Sequence, residues 1–136
     1  MTIDDDFFGP PVATYTRAQA LEDGTLVDLS EWASARTGFY GGFTVPVAVT
    51  HAVWAAIEAI PEHLEGIADV RGRAHDVLWM ANLAARGAAK RGEWVRDFLV
   101  ILPRRGEHRR KVTLRVEIGT GDQAEPVVTI GFPGDF

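Results

Sequence analysis

The run KVTLRVEI alternates apolar and polar side chains over residues 111–118 without a break. Val112, Leu114, Val116 and Ile118 fall on one side, and Thr113, Arg115 and Glu117 on the other. That period of two suits an extended chain with one buried face. The mode extends across everything after Trp94. WVRDFLVIL precedes the run, and VVTIGF follows it after the turn-forming GTGDQAEP. The pattern predicts an antiparallel C-terminal meander of at least three strands, with an apolar face that needs helices over it. A chain of 136 residues is long enough to build one such domain around its own core.

The helices are legible from their ends. In TRAQALEDG, Thr16 is placed to cap the first amides, Gln19 completes a capping box, and Gly24 suits the left-handed stop. TLVDL reads as a short strand, and Ser30 as the cap of a turn through EWASAR that Gly38 closes. Val45, Val47 and Val49 alternate as a half-buried strand would, and Pro46, lacking a backbone donor, argues for an edge position. Thr50 caps HAVWAAIEAI, with Val49 and Trp54 at staple positions and Pro61 limiting its length. A longer helix is predicted over 73–91: Val77, Met80, Ala81, Ala84 and Ala88 recur at helical spacing, and Gly92 stops it. Trp54 and Trp79 are expected in the core, while Trp32 and Trp94, nearer element boundaries, include a candidate exposed anchor. The expected fold is α+β: a C-terminal antiparallel β-meander packed against N-terminal and central helices. Residues 15–136 form one compact domain, after an irregular acidic arm over 1–14.

Charge is distributed unevenly along the chain. Residues 1–31 hold seven acids and one base, whereas 71–111 hold eleven bases and four acids, within a chain of formal charge -5. The acidic set, Asp4, Asp5, Asp6, Glu22, Asp23 and Asp28, is a candidate protein-binding surface. In ILPRRGEHRRK, Arg104, Arg105, Arg109, Arg110 and Lys111 would project from a hairpin, a candidate surface for anions or nucleic acid. The two sets either stand apart and steer a partner, or neutralise each other within the fold. The tract FYGGF offers an aromatic lip of Phe39, Tyr40 and Phe43 beside flexible glycines.

Catalytic signatures are weak. The chain has no cysteine, which removes disulfides, thiolate chemistry and Cys-ligated metals. His51, His63, His75 and His108 form no H-E-x-x-H pair. His75 and Asp76 are helix neighbours, expected to point apart; an enzyme reading would need the fold to bring His51, His75 and Glu58 together. No lysine-bearing phosphate loop occurs, and neither a metal nor a cofactor is implied. The start lacks a signal-peptide pattern, and no apolar run reaches membrane-spanning length, so a soluble cytoplasmic protein without a membrane partner is expected.

Taken in order, YTRAQALEDGTLVDLSEWA, PVAVTHAVW, HDVLWMANLA and VTLRVEIGTGDQAEPVVTIGFP resemble a family of small uncharacterised bacterial proteins often carried on plasmids and phages. The resemblance runs from Tyr15 to Pro133, although ARTGFYGGFTV is longer and richer in glycine than the family's usual approach to PVAVT. It implies a mobile-element protein, and with it a noncatalytic regulator or inhibitor that binds a protein partner. One such partner would be a host nucleic-acid-handling defence complex. The alternatives are a nucleic-acid-binding module using the basic hairpin and a small enzyme with a His/acid site.

Overall fold

The computed structural model describes residues 15–34 and 42–136. The acidic arm over 1–14 and the stop at Gly38 lie outside the described residues. In chain order the elements are α1 (Arg17–Asp23), β1 (Leu26–Asp28), α2 (Ser30–Ala33), β2 (Val47–Thr50), α3 (His51–Glu58), α4 (Val70–Lys90), β3 (Val95–Ile101), β4 (Lys111–Thr120) and β5 (Pro126–Gly131). Single 3-10 turns cover Glu62–Leu64 and Pro133–Asp135. The fold is α+β, with the C-terminal sheet packed against helices.

The strand order is β1-β2-β5-β4-β3. The expected meander β3-β4-β5 is antiparallel throughout. It is extended by β2, which runs parallel to β5, and then by antiparallel β1. β2 is therefore an interior strand, contrary to the edge position inferred from Pro46. The proline stands just before the strand, and its carbonyl accepts from Val128 N at 2.9 Å. Val47, Ala48 and Val49 are all buried, so the expected half-buried alternation gives way to a strand covered on both faces.

Local chemistry explains the helix ends. Thr16 and Gln19 form the expected capping box, and Gly24 takes φ 84°. A second device is long-range: Asp122, in the β4–β5 turn, accepts from Arg17 N at 2.8 Å and Ala18 N at 2.9 Å. The Arg17 guanidinium donates to Thr129 Oγ1 at 2.6 Å and Val128 O at 2.9 Å, and its burial lowers its pKa. Ser30 is not the cap expected of it, because Leu29 occupies that position. Ser30 Oγ instead accepts from Val47 N at 3.0 Å and so joins α2 to the sheet. Thr50 caps α3 as expected, and α3 ends at Glu58, short of Pro61. α4 starts three residues earlier than its periodicity indicated, because Asp69 caps it through Gly72 N at 2.6 Å.

The core lies between the sheet and α3–α4. Val112, Leu114 and Val116 of β4 and Phe98 and Val100 of β3 meet Ala74, Val77, Leu78 and Ala81 of α4. Small alanines let the α4 backbone approach the sheet closely. Inside this layer lies the one buried cation among the described residues. Arg73 is 5% exposed, and its Nε donates to Ile57 O at 2.8 Å while Nη2 donates to Ala56 O at 2.9 Å and Pro103 O at 2.6 Å. It satisfies two carbonyls at the C-terminus of α3, where the helix dipole favours positive charge.

Replacing Arg73 by Met keeps much of the packing volume and withdraws all three of these hydrogen bonds. Arg73→Met is expected to lower stability by about 2–4 kcal/mol, read as a reduced urea midpoint at unchanged m-value. A midpoint equal to that of the wild type would remove Arg73 from its structural role.

Candidate functional site

Six of the nine large hydrophobic side chains that stand exposed among the described residues belong to the terminal strand or to the helix packed over it. They are Trp79 and Leu83 of α4, Trp94 before β3, and Val95, Leu99 and Ile101 of β3 itself. β3 is a terminal strand of the sheet, so one side of its backbone has no strand partner among the described residues. Phe98 and Val100 point into the core, which turns Leu99 and Ile101 to the other face. Trp79 and Met80 line a groove of about 400 Å³ together with Leu99, Val100 and Ile101, and its charged members are Asp76 and Lys111. Trp79, expected in the core, is 51% exposed because it lies on the side of α4 away from Val77, Leu78 and Ala81.

Edge strands are ordinarily guarded by charge, and β3 carries two charged residues. Both are engaged within the chain. Asp97 faces its cross-strand partner Arg115, whose Nε donates to Asp97 Oδ1 at 2.6 Å and Nη2 to Oδ2 at 3.3 Å. Arg96 turns toward α4, where a Cβ added at Gly87 would stand 2.0 Å from Arg96 Nη1. Gly87 is thus the gap that lets a guanidinium lie against bare helix backbone. The result is an apolar margin with open backbone groups, the arrangement that accepts an added strand.

The basic segment forms the β3–β4 connection, as expected, but its members differ in availability. Leu102 N donates to Arg110 O at 2.7 Å and closes the base of the loop, and Gly106 turns it at φ 79°. Arg105 is used internally: its Nη1 donates to Glu62 at 3.0 Å, Nη2 pairs with Glu65, and Nε reaches Ile60 O at 3.2 Å. Arg104 lies with its guanidinium 5.9 Å from the Phe132 ring centroid. Its Nε is buried without a hydrogen-bond partner. Arg109, Arg110 and Lys111 are exposed, and among the described residues none has an ion-pair partner. A polar groove of about 660 Å³ includes Arg104, Arg105, Arg110, His63 and His108 in its lining.

Of the acidic set, Glu22, Asp23 and Asp28 are exposed around α1 and β1, at the opposite edge of the sheet from β3. Asp23 accepts from Tyr15 and from Thr25 N, which holds its carboxyl below the usual range and pushes the Tyr15 hydroxyl up. Asp28 accepts from Ser30 N at 2.9 Å. The described acids that pair with the hairpin are Glu62 and Glu65, from the turn after α3. Asp4, Asp5 and Asp6 lie outside the described residues, as do Phe39 and Tyr40. Phe43 is 6% exposed within the core, which corrects its assignment to an accessible lip.

His51 and Glu58 do not meet as the enzyme reading needs. His51 and Glu58 are the first and last residues of α3, separated by about 10 Å of helix rise. His75 is on α4, where its Nδ1 stands 3.3 Å from Asp76 Oδ1, a contact that the expectation of divergent neighbours missed. Among the described residues, no group of three His, Asp or Glu side chains is placed to hold a metal ion. Nor is any described helix long and apolar enough to cross a membrane. The apolar margin was the feature that sequence reasoning missed. Its signal was the unbroken FLVIL, which makes both faces of β3 apolar where β4 strictly alternates.

A family model described as "Family of unknown function (DUF6573)" matches residues 6–136, and the chain belongs to that family. Neither curated proteins nor solved structures gave a significant match.

The Asp97–Arg115 bond makes the margin sensitive to acid. Hydrogen bonding from Arg115 holds the Asp97 carboxyl below the usual carboxylate range. Between that lowered value and the unfolded value of about 3.9 the unfolded chain binds more protons, so stability rises with pH. The contribution is complete above the unfolded value and is lost as pH falls through the folded one. Asp97→Asn is expected to flatten the acid limb of the stability profile below about pH 4, measured by thermal unfolding across pH. Equal acid slopes in the two proteins would contradict this.

Proposed function

We propose that this family member is a noncatalytic protein-binding regulator whose docking surface is the open β3 edge with the adjoining flank of α4. The gathering of Trp94, Val95, Leu99 and Ile101 on the terminal strand, with Trp79 and Leu83 on the helix beside it, carries the reading. A contiguous apolar surface beside free backbone donors and acceptors gains free energy when a protein covers it. Two large aromatic anchors supply contact area at little cost in side-chain entropy. Arg109, Arg110 and Lys111 adjoin the Ile101 end of the strand, where their charge would steer approach. The acids Glu22, Asp23 and Asp28, together with Asp4, Asp5 and Asp6 in the arm, form a second proposed contact surface. The resemblance to plasmid- and phage-borne proteins extends the proposal to inhibition of a host nucleic-acid-handling complex, and such a role fits a cytoplasmic protein.

Capture from an extract of the native host, followed by titration of the purified partner, tests this reading. Leu99→Arg is expected to weaken binding by at least about tenfold, with the circular dichroism spectrum unchanged. Arg109→Glu/Arg110→Glu should act mainly on association rate and salt dependence. Binding indifferent to Leu99→Arg in a folded protein, or turnover of a defined substrate, would overturn the proposal.

Arg109, Arg110 and Lys111, exposed and without an ion-pair partner among the described residues, favour a second reading, a nucleic-acid contact. That reading expects affinity for single- or double-stranded oligonucleotides to fall steeply with salt, and the double Arg→Glu variant to reduce the salt slope by about two. An unchanged slope would remove it.

A further inference from the structure

We propose that the occupant of this edge is a second copy of the chain, joined about a two-fold axis with β3 antiparallel to β3, so that the two five-stranded sheets become one. The inference rests on the docking-edge reading above and names what docks there.

The first support is the charge pattern of α4. Asp76, Trp79, Leu83, Arg86 and Lys90 follow one another at steps of three, four, three and four, and all five are exposed. Such spacing draws a single stripe along a helix. The stripe is acidic at one end, basic at the other and apolar between. It is therefore self-complementary only in antiparallel register. A two-fold axis at Leu83 sets Asp76 of each copy against Lys90 of the other, and Leu83 against its own mate. A parallel arrangement would oppose like charges at both ends.

The strand shares that centre. Arg96 lies against Gly87, and Trp79 and Met80 share their groove with Leu99, Val100 and Ile101. Leu83 is therefore level with the middle of β3, near Phe98. A two-fold axis perpendicular to the sheet keeps each side chain on its own face, so it pairs residues of like orientation. With the axis at Phe98, Val95 stands opposite Ile101 of the second copy and Leu99 opposite Asp97, and the reciprocal pairs repeat them. The charges of β3 do not oppose this approach, because Asp97 is bonded to Arg115 and Arg96 is laid on α4.

The exposed apolar surface favours closure. The six apolar residues are between 43% and 71% exposed. Two tryptophans are among them, and strand pairing with helix contact removes part of each from water. Closing the pair also satisfies backbone groups that the sheet edge leaves to water.

Sedimentation and light scattering over a concentration series test the inference on the intact chain. A dimer that dissociates on dilution is expected, with Leu99→Asp, which sets a carboxylate against Asp97 of the second copy, monomeric. Asp76→Lys should weaken association by about tenfold, and Asp76→Lys/Lys90→Asp should recover it, which a merely destabilised fold would not do. A wild type monomeric up to about 1 mM, or a dimer unmoved by Leu99→Asp and by the charge pair, would overturn self-association. A monomer whose Leu99→Arg variant still loses a host protein overturns the self-docking alone. Indifference to Leu99→Asp in sedimentation and to Leu99→Arg in partner capture overturns the docking edge itself.

Discussion

The buried guanidinium of Arg73 decides where the functional surfaces lie. Its donors reach two carbonyls at the end of α3 and one at Pro103, so a single side chain of α4 joins the end of one helix to the root of the basic loop. Among the described residues no carboxylate hydrogen-bonds to it, and burial lowers its pKa. The charge is stabilised by oriented carbonyl dipoles, which cost no side-chain ordering of their own. With Pro103 fixed there, Arg105 N reaches Ala59 O at 2.8 Å, and the Arg105 fork closes on Glu62 and Glu65. The loop is held against the α3 corner, while Arg109, Arg110 and Lys111 remain outside.

Availability, more than the number of charges, separates structural from functional candidates here. Arg105 and Arg109 look alike in ILPRRGEHRRK, yet one is spent on two carboxylates and the other is free among the described residues. The same distinction applies to Asp97, whose partner is across the strand, and to Arg96, which fills the space above Gly87. These engagements turn a strand that contains an acid and a base into an apolar margin.

Features governed by local chemistry were legible in the sequence. The capping box at Thr16 and Gln19, the left-handed stops at Gly24 and Gly92, and the alternation of Val112, Leu114 and Val116 each depend on a few neighbouring residues. What escaped was set by distant contacts. Asp122 caps α1 across more than a hundred residues, and Ser30 serves β2 instead of its own helix. Pro46 suggested an edge because the parallel pairing of β2 with β5 leaves no local signature. Trp79 was read as core because periodicity identifies an apolar stripe without saying whether the fold brings anything to cover it. For the site, the basic hairpin was visible in the sequence and the apolar margin was not. The position of β3 at the end of the sheet is a property of topology alone.

The composition of that margin is not explained by the needs of the fold. Strand propensity at outward positions is met as well by Thr or Val as by Leu, and Thr would present a hydroxyl to water. Phe98 and Val100 already supply the inward contacts of β3, so Leu99 adds nothing to the described core. On α4, the exposed positions of Trp79 and Leu83 would accept Lys or Glu at equal helix propensity and with better solvation. Large apolar side chains at all these places leave surface that is stabilising only when covered. The strand also lacks the free charge, proline or bulge that would keep a neighbour away. Covering it relieves both conditions at once, by removing apolar area from water and giving the last strand of the sheet a partner.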